Sequence, residues 1–249
     1  MSKTVLVAGA SSGIGFQVSK DLSKNGNNVI LCSRSKNKLE ECLNNLDTSK
    51  GQKHQVISFD FEKTDNIESV FTPLLQNLKL DGLVYCVGNG HQAKFKDLKT
   101  EIIQTDMKTN YFSFVELLRI IMNQRKQSDN QFNCVAISSV ASTYTNEKYY
   151  CSYTSSKSAL EGAIRVLSPE LIKKNCMLCA VKPAVVGTQR LDNITMLTDD
   201  LENKIVKSGY QPGGIISSKA VSDMICYLIS TNDFSFSGAI IPITSGALG

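Results

Sequence analysis

No stretch constrains this chain more than Val5-Leu-Val-Ala-Gly9-Ala-Ser-Ser-Gly13-Ile-Gly15. Val5 to Ala8 are apolar without alternation, as in a strand buried on both faces. Three glycines break the run, and Ile14, Val18 and Leu22 then recur four apart, which is one face of a helix. A strand that turns through glycine into a helix aims backbone N–H groups and the positive helix end at an anion such as a dinucleotide pyrophosphate. In such a site Gly9 makes the tight turn, Gly13 admits the phosphates to the backbone, and Gly15 lets helix lie on strand. Ser11, Ser12 and Ile14 complete the candidate phosphate loop. The spacing is G-x-x-x-G-x-G, not the G-x-G-x-x-G dinucleotide fingerprint. Taken alone, the loop admits both a phosphate cradle and a Gly/Ser-rich turn without a ligand.

The remainder of the chain alternates strand and helix. Apolar runs predict strands at Val29–Ser33, Gln55–Phe59, Gly82–Gly88, Phe132–Ser138, Met177–Lys182 and Ala239–Ile243. Helical periodicity predicts helices at Leu39–Leu46, Asp65–Leu78, Glu101–Asn123, Tyr149–Lys173 and Lys219–Ser230, with Asn25-Gly26 closing the first helix. Residues 184–216 are less regular. Alternating elements imply a doubly wound α/β fold, a parallel sheet of about seven strands with helices on both faces. Ligands of such sheets sit at the strand carboxyl ends, here Gly9, Arg34, Asp60, Gly88, Ser139 and Pro183.

Composition excludes several classes of function. A net charge of +4 over 249 residues is too weak and too dispersed to argue for nucleic-acid or membrane binding. The apolar runs are too short to span a bilayer, and strand signal begins at Val5, so a cytoplasmic protein is expected. Cys176-Met-Leu-Cys179 has redox or zinc spacing, but on a strand residues three apart face opposite ways. His54 and His91 stand apart from the cysteines, so buried free thiols and no metal are expected.

Arg34 follows the second strand after Ser33, where a dinucleotide fold meets the adenosine ribose. An acidic residue there suits the 2′-OH of NAD, whereas a guanidinium suits the 2′-phosphate of NADP in charge and fork geometry. Tyr153-Thr-Ser-Ser-Lys157 sets a phenol and an ammonium on one helix face. A free tyrosine titrates near ~10, and a fixed cation beside it favours the phenolate. Ser139, at the end of the fifth strand, could hold a carbonyl oxygen against that hydroxyl.

Together these residues resemble the classical short-chain dehydrogenase/reductase family along almost the whole chain. Gly9-x-x-x-Gly13-x-Gly15, Asp60, Asn110, Ser139, Tyr153-x-x-x-Lys157, Pro183 and Thr188 occur in that family's order and spacing. The resemblance implies one NADP-binding domain over residues 1–249 that reduces a carbonyl to a secondary alcohol. By it, Tyr153 donates the proton, Ser139 orients the carbonyl, and Lys157 binds the nicotinamide ribose and lowers the tyrosine pKa. Asn110 would support a water relay to Lys157. Asp60 and Phe61 would hold the adenine, Cys86 to Gly88 the adenosine ribose, and Val186 and Thr188, past Pro183, the carboxamide. The alternative is a catalytically silent NADP-binding relative acting as a sensor or interaction protein.

Ala8, Tyr85-Cys-Val87 and Ala184 depart from the family pattern at positions that shape strands and backbone, not chemistry. Ser12 stands where many NADP-using members carry a basic residue, so the expected NADPH preference rests on Arg34. The segment from Gln211-Pro-Gly-Gly to Gly238-Ala-Ile-Ile-Pro is similar to the 3-oxoacyl-carrier-protein reductase branch. That branch implies carrier docking by basic residues beside the active-site mouth, for which Arg125, Lys126 and Lys174 are the candidates; ordinary surface charge is the other reading. The resemblance also implies a homodimer or homotetramer. Residues of about 187–216, with Leu191, Ile194, Met196 and Leu197 at near-helical spacing, would form a lid favouring a substrate with an apolar body; packing on the sheet or a subunit is the alternative.

Overall fold

The computed structural model describes residues 2–126, 129–143, 148–188 and 201–247. Seven parallel strands form one sheet: β1 (Thr4–Ala8), β2 (Asn28–Ser33), β3 (Gln55–Ser58), β4 (Gly82–Tyr85), β5 (Phe132–Ile137), β6 (Cys176–Pro183) and, last in the chain, β9 (Ile240–Ile243). Their order is β3-β2-β1-β4-β5-β6-β9. The chain winds outward from β1 to β3, returns to the centre and winds the other way from β4. The reversal falls between β1 and β4, where a parallel sheet opens a crevice at its carboxyl edge.

Alternation along each strand sends side chains to two separate cores. Val5 and Val7 join Val18 and Leu22 of α1 (Gly13–Lys24) and Leu39 of α2 (Lys36–Leu43), with Val221 and Ile225 from a helix near the end of the chain. Leu6 and Ala8 face the other way, toward Phe71 of α3 (Ile67–Gln76), Phe114 and Leu117 beyond β4, and Leu160 and Ile164 beyond β5. Both sets are apolar and nearly fully buried, and each Val, Leu, Ile or Phe among them contributes roughly 1.5–3 kcal/mol. Cys176 and Cys179 obey the same rule: the first lies in one core and the second in the other. Both are free, and burial pushes each thiol up to about 12.

Two predicted elements take a different form. The second helix begins at Lys36, ahead of its apolar stripe, because Ser35 caps it by accepting from Lys38 N at 3.4 Å. The long helix over Glu101–Asn123 is three pieces: α4 (Thr100–Met107), a widened π turn at Lys108–Phe112, and α5 (Ser113–Gln124). Asn110 sits in that turn, and such bulges recur at functional sites.

After β6, β7 (Val186–Gly187) pairs in parallel with β8 (Ile216–Ser217), and α7 (Leu201–Lys207) lies between them in sequence. The helix α8 (Ser218–Ser230) starts where Ser217 accepts from Ala220 N at 3.1 Å. Leu191, Ile194, Met196 and Leu197 lie outside the described residues. Among the described residues no helix is long and apolar enough to cross a membrane.

Candidate active site

The helix α6 (Cys151–Ile172) runs beside the carboxyl ends of β5 and β6 and carries Tyr153 and Lys157 one turn apart. Lys157 is 3% exposed, donates from Nζ to the Ile137 carbonyl at 2.7 Å, and lies 6.0 Å from the Tyr153 ring centroid. An ammonium anchored there is a fixed positive charge beside the phenol. Ser139 leaves β5 in extended backbone and caps a short turn, its Oγ accepting from Ala141 N at 3.3 Å. A hydroxyl held by a donor keeps its own proton as a donor. One cavity of about 350 Å³ is lined by Ser139, Tyr153 and Lys157 together with Gly13, Pro183 and Thr188.

A buried carboxylate braces this corner from behind. Glu161, one turn past Lys157 and 2% exposed, accepts from Ser138 Oγ at 2.7 Å and Ser142 Oγ at 2.5 Å. Its Oε2 takes Arg165 at 3.1 Å, and Lys182 Nζ stands 3.4 Å from Oε1, the oxygen that takes the two serines. Lys182 in turn donates to Thr143 Oγ1 at 2.7 Å. Ser138 just before Ser139, Ser142 in the turn after it, and Lys182 just before Pro183 thus meet at a single carboxylate.

Asn110 lines neither lobe of the cleft and is fully buried. Its amide donates to the Asn89 carbonyl at 2.8 Å and to Ser156 Oγ at 2.9 Å, and its Oδ1 accepts from Asn89 N at 3.1 Å. The π turn that aims it is held by Tyr85, whose hydroxyl donates to the Thr109 carbonyl at 2.8 Å and meets Ser113 Oγ at 2.5 Å. The departure from the family pattern at Tyr85 therefore ties β4 to the turn bearing Asn110. Complete burial raises that phenol far above its ordinary pKa, so it acts as a neutral donor.

A second cavity of about 250 Å³ is lined by Ser11, Ser33, Arg34, Lys38, Asp60 and Phe61. It shares Gly9, Ser12 and Cys86 to Gly88 with the first. Two lobes joined at a glycine turn and a helix N-terminus suit two nucleoside arms on a pyrophosphate. The glycines confirm how close the walls are. Gly9 has φ +83°, and a Cβ there would lie 2.8 Å from the Cys86 carbonyl carbon. Gly13 has φ +53°, and its Cβ would lie 3.3 Å from Thr188 Cγ2 across the cleft. Ser12 caps α1 without a side-chain bond to the first turn. The residues present therefore fit a dinucleotide.

All the predicted cofactor residues line one lobe or the other. Sequence reasoning missed Glu62, Asn89 and Thr109 in the second cavity, and Tyr150 and Tyr210 in the first. None of these carries a motif; strand pairing and chain return bring them in. Gln211, buried, mimics a strand edge: it accepts from Val185 N at 2.9 Å and donates to Val185 O at 3.1 Å, fixing the wall behind Val186.

The basic candidates for carrier docking are placed elsewhere, which corrects the expectation that they flank the mouth. Arg125 donates to Leu80 O at 3.0 Å and stacks 4.9 Å from the ring of Phe132, the first residue of β5. Lys126 N donates to Asp129, and Lys174 Nζ reaches Met122 O at 3.5 Å, just before β6. They lie at the amino ends of strands whose carboxyl ends hold the site. Their positions follow from the loops that enter β5 and β6.

A family model described as short chain dehydrogenase matches residues 3–197. The chain is 29% identical over 230 residues to 17-beta-hydroxysteroid dehydrogenase type 3 of Danio rerio, covering 87% of this chain and 74% of that protein. It is 29% identical over 191 residues to dehydrogenase/reductase SDR family member 7B of Mus musculus, covering 74% of this chain and 58% of that one. The chain thus spans between about half and three quarters of these longer relatives. In fold it is similar to L-sorbose reductase from Gluconobacter frateurii, solved with NADPH and L-sorbose: the TM-score is 0.89 at 19% identity, over 99% of this chain and 97% of the other.

Proposed function

The chain belongs to the short-chain dehydrogenase family of oxidoreductases, and from that premise we propose that it is an NADP(H)-dependent carbonyl reductase acting through Tyr153. The observation that carries the reading is the convergence of Ser139, Tyr153 and Lys157 on one wall of a cavity that opens onto the glycine loop. A bound nicotinamide supplies the hydride. The chain itself holds and protonates the carbonyl. Ser139 Oγ donates to the substrate oxygen and fixes it beside the phenol, and Tyr153 passes its proton to that oxygen as negative charge develops. Lys157, held by the Ile137 carbonyl, would stabilise the phenolate that remains and would hold the nicotinamide ribose when the cofactor is bound. Asn110 steadies the Asn89 and Ser156 segments that flank Lys157.

Arg34 in the adenosine lobe, with Lys38 beside it, supports NADPH over NADH. A 2′-phosphate on a guanidinium gains roughly 1.5–3 kcal/mol in charged hydrogen bonds. The walls near Ser139 are Val140, Ala141, Ala184 and Val185, with the rings of Tyr150 and Tyr210. The four aliphatic side chains favour a ketone set in an apolar body. A homodimer or homotetramer completes the reading on the strength of the resemblance alone, and a cytoplasmic location on apolar runs too short to span a bilayer. The test is NADPH oxidation by the protein against apolar ketones, acyl thioesters and keto-sugars. Turnover of the apolar ketones supports the reading, and no turnover of any carbonyl refutes it.

A further inference from the structure

The end of β2 and the end of β3 are locked together. Ser33 pairs with Ser58, Phe59 N donates to Ser33 O at 2.9 Å, and Ser58 Oγ donates to the Arg34 carbonyl at 3.0 Å. This register carries Arg34 to the rim of the adenosine lobe and brings the turn after β3 against it. In that turn Glu62 N donates to Asp60 Oδ1 at 3.2 Å and Lys63 N to Asp60 O at 3.0 Å. The Glu62 side chain points into the lobe. Its Oε1 lies 3.6 Å from Arg34 Nη1 and accepts from Asn89 Nδ2 at 3.3 Å. Glu62 is therefore held from three sides: its own turn, Arg34, and the segment after Gly88.

A carboxylate and a guanidinium in one ribose lobe have opposite preferences. The acid suits a 2′-hydroxyl, and the arginine suits a 2′-phosphate. A phosphate monoester carries about −1.5 to −2 charge near neutral pH. At Arg34 it meets a guanidinium already facing the Glu62 carboxylate at 3.6 Å and sits beside a like charge. NADH requires neither.

We infer that Glu62 is a second specificity-determining residue of this lobe, restraining the preference for NADPH that Arg34 creates. The inference rests on the reading of the cleft as an NADP(H) site. Arg34 and Glu62 side chains are 67% and 38% exposed, so water screens the pair and the restraint is modest. Equilibrium titration of NADPH and NADH fluorescence tests it on the wild type, Glu62→Gln, Arg34→Leu and the double variant. Glu62→Gln should tighten NADPH by roughly two- to fivefold, the range for an exposed charge pair, and leave NADH no tighter. The gain should shrink at about 1 M salt, where screening acts over about 3 Å, and shrink again in the Arg34→Leu background. Equal or weaker NADPH binding by Glu62→Gln overturns the inference; weaker binding would make Glu62 an aid to Arg34. A salt-independent gain overturns it too, since a steric effect would remain. If the wild type binds neither coenzyme, the cofactor reading itself falls; if it binds NADPH and only the Glu62 arm fails, that reading stands.

Discussion

Alanine at position 88 should damage the site by one methyl group. Gly88 is not in the left-handed region, so alanine meets no backbone penalty there. The added Cβ is the whole perturbation. It would lie 2.7 Å from Asn110 Oδ1 and 3.2 Å from Lys157 Nζ, inside ordinary carbon contact. Each neighbour is tied: Oδ1 accepts from Asn89 N at 3.1 Å, and Nζ donates to Ile137 O at 2.7 Å. Relief requires breaking one of these. The neutral bond is worth about 1 kcal/mol and the charged one about 1.5–3; overpacking strain alone runs to about 1–3 kcal/mol. About 2 kcal/mol is the resulting estimate, and borne by the cofactor complex it is roughly a 30-fold loss of affinity. NADPH titration and thermal melting of Gly88→Ala read the two parts. Gly162→Ala is the control, since nothing lies within 4 Å of its Cβ on α6; it should spare binding and gain about 0.5–1 kcal/mol of stability. Gly88→Ala with NADPH affinity within about twofold of the wild type and an unchanged Tm would refute the contact argument.

Two other variants test the parts around it. Glu161→Ala takes the carboxylate from Ser138, Ser142, Arg165 and Lys182 at once and should lose about 3 kcal/mol. Glu161→Gln keeps one oxygen for the two hydroxyls and should lose less; urea denaturation midpoints compare them, and equal midpoints with the wild type would remove the network's structural role. Lys157→Ala should lower both turnover and NADPH affinity, because the same ammonium serves the phenol and the ribose. Loss of turnover at unaltered NADPH affinity would remove the ribose contact.

What the sequence made legible is what local chemistry sets. The glycine loop, Tyr153-x-x-x-Lys157 and the apolar runs each fix their geometry within a few residues. The seven strands and their two cores follow from that. The π turn at Lys108–Phe112 was not legible, because Tyr85 holds it from β4, 24 residues away along the chain. Glu62 was hidden for the same reason: only the pairing of β2 with β3 brings it to Arg34. The early start of α2 could have been read from Ser35, a good N-cap, had capping been weighed above the apolar stripe. Tyr210 and Gln211 reach the site by a return of the chain that leaves no local pattern.

The account stands most directly on the phenol of Tyr153. Tyr153→Phe removes one oxygen and keeps the ring, with Tyr150 at 5.7 Å and Lys157 at 6.0 Å from its centroid. Single-turnover oxidation of bound NADPH by a carbonyl substrate, followed beside an equilibrium NADPH titration, separates proton donation from binding. The predicted result is hydride transfer slowed by about 10²-fold or more, with NADPH affinity within about twofold of the wild type. Hydride transfer by Tyr153→Phe at close to the wild-type rate would contradict it.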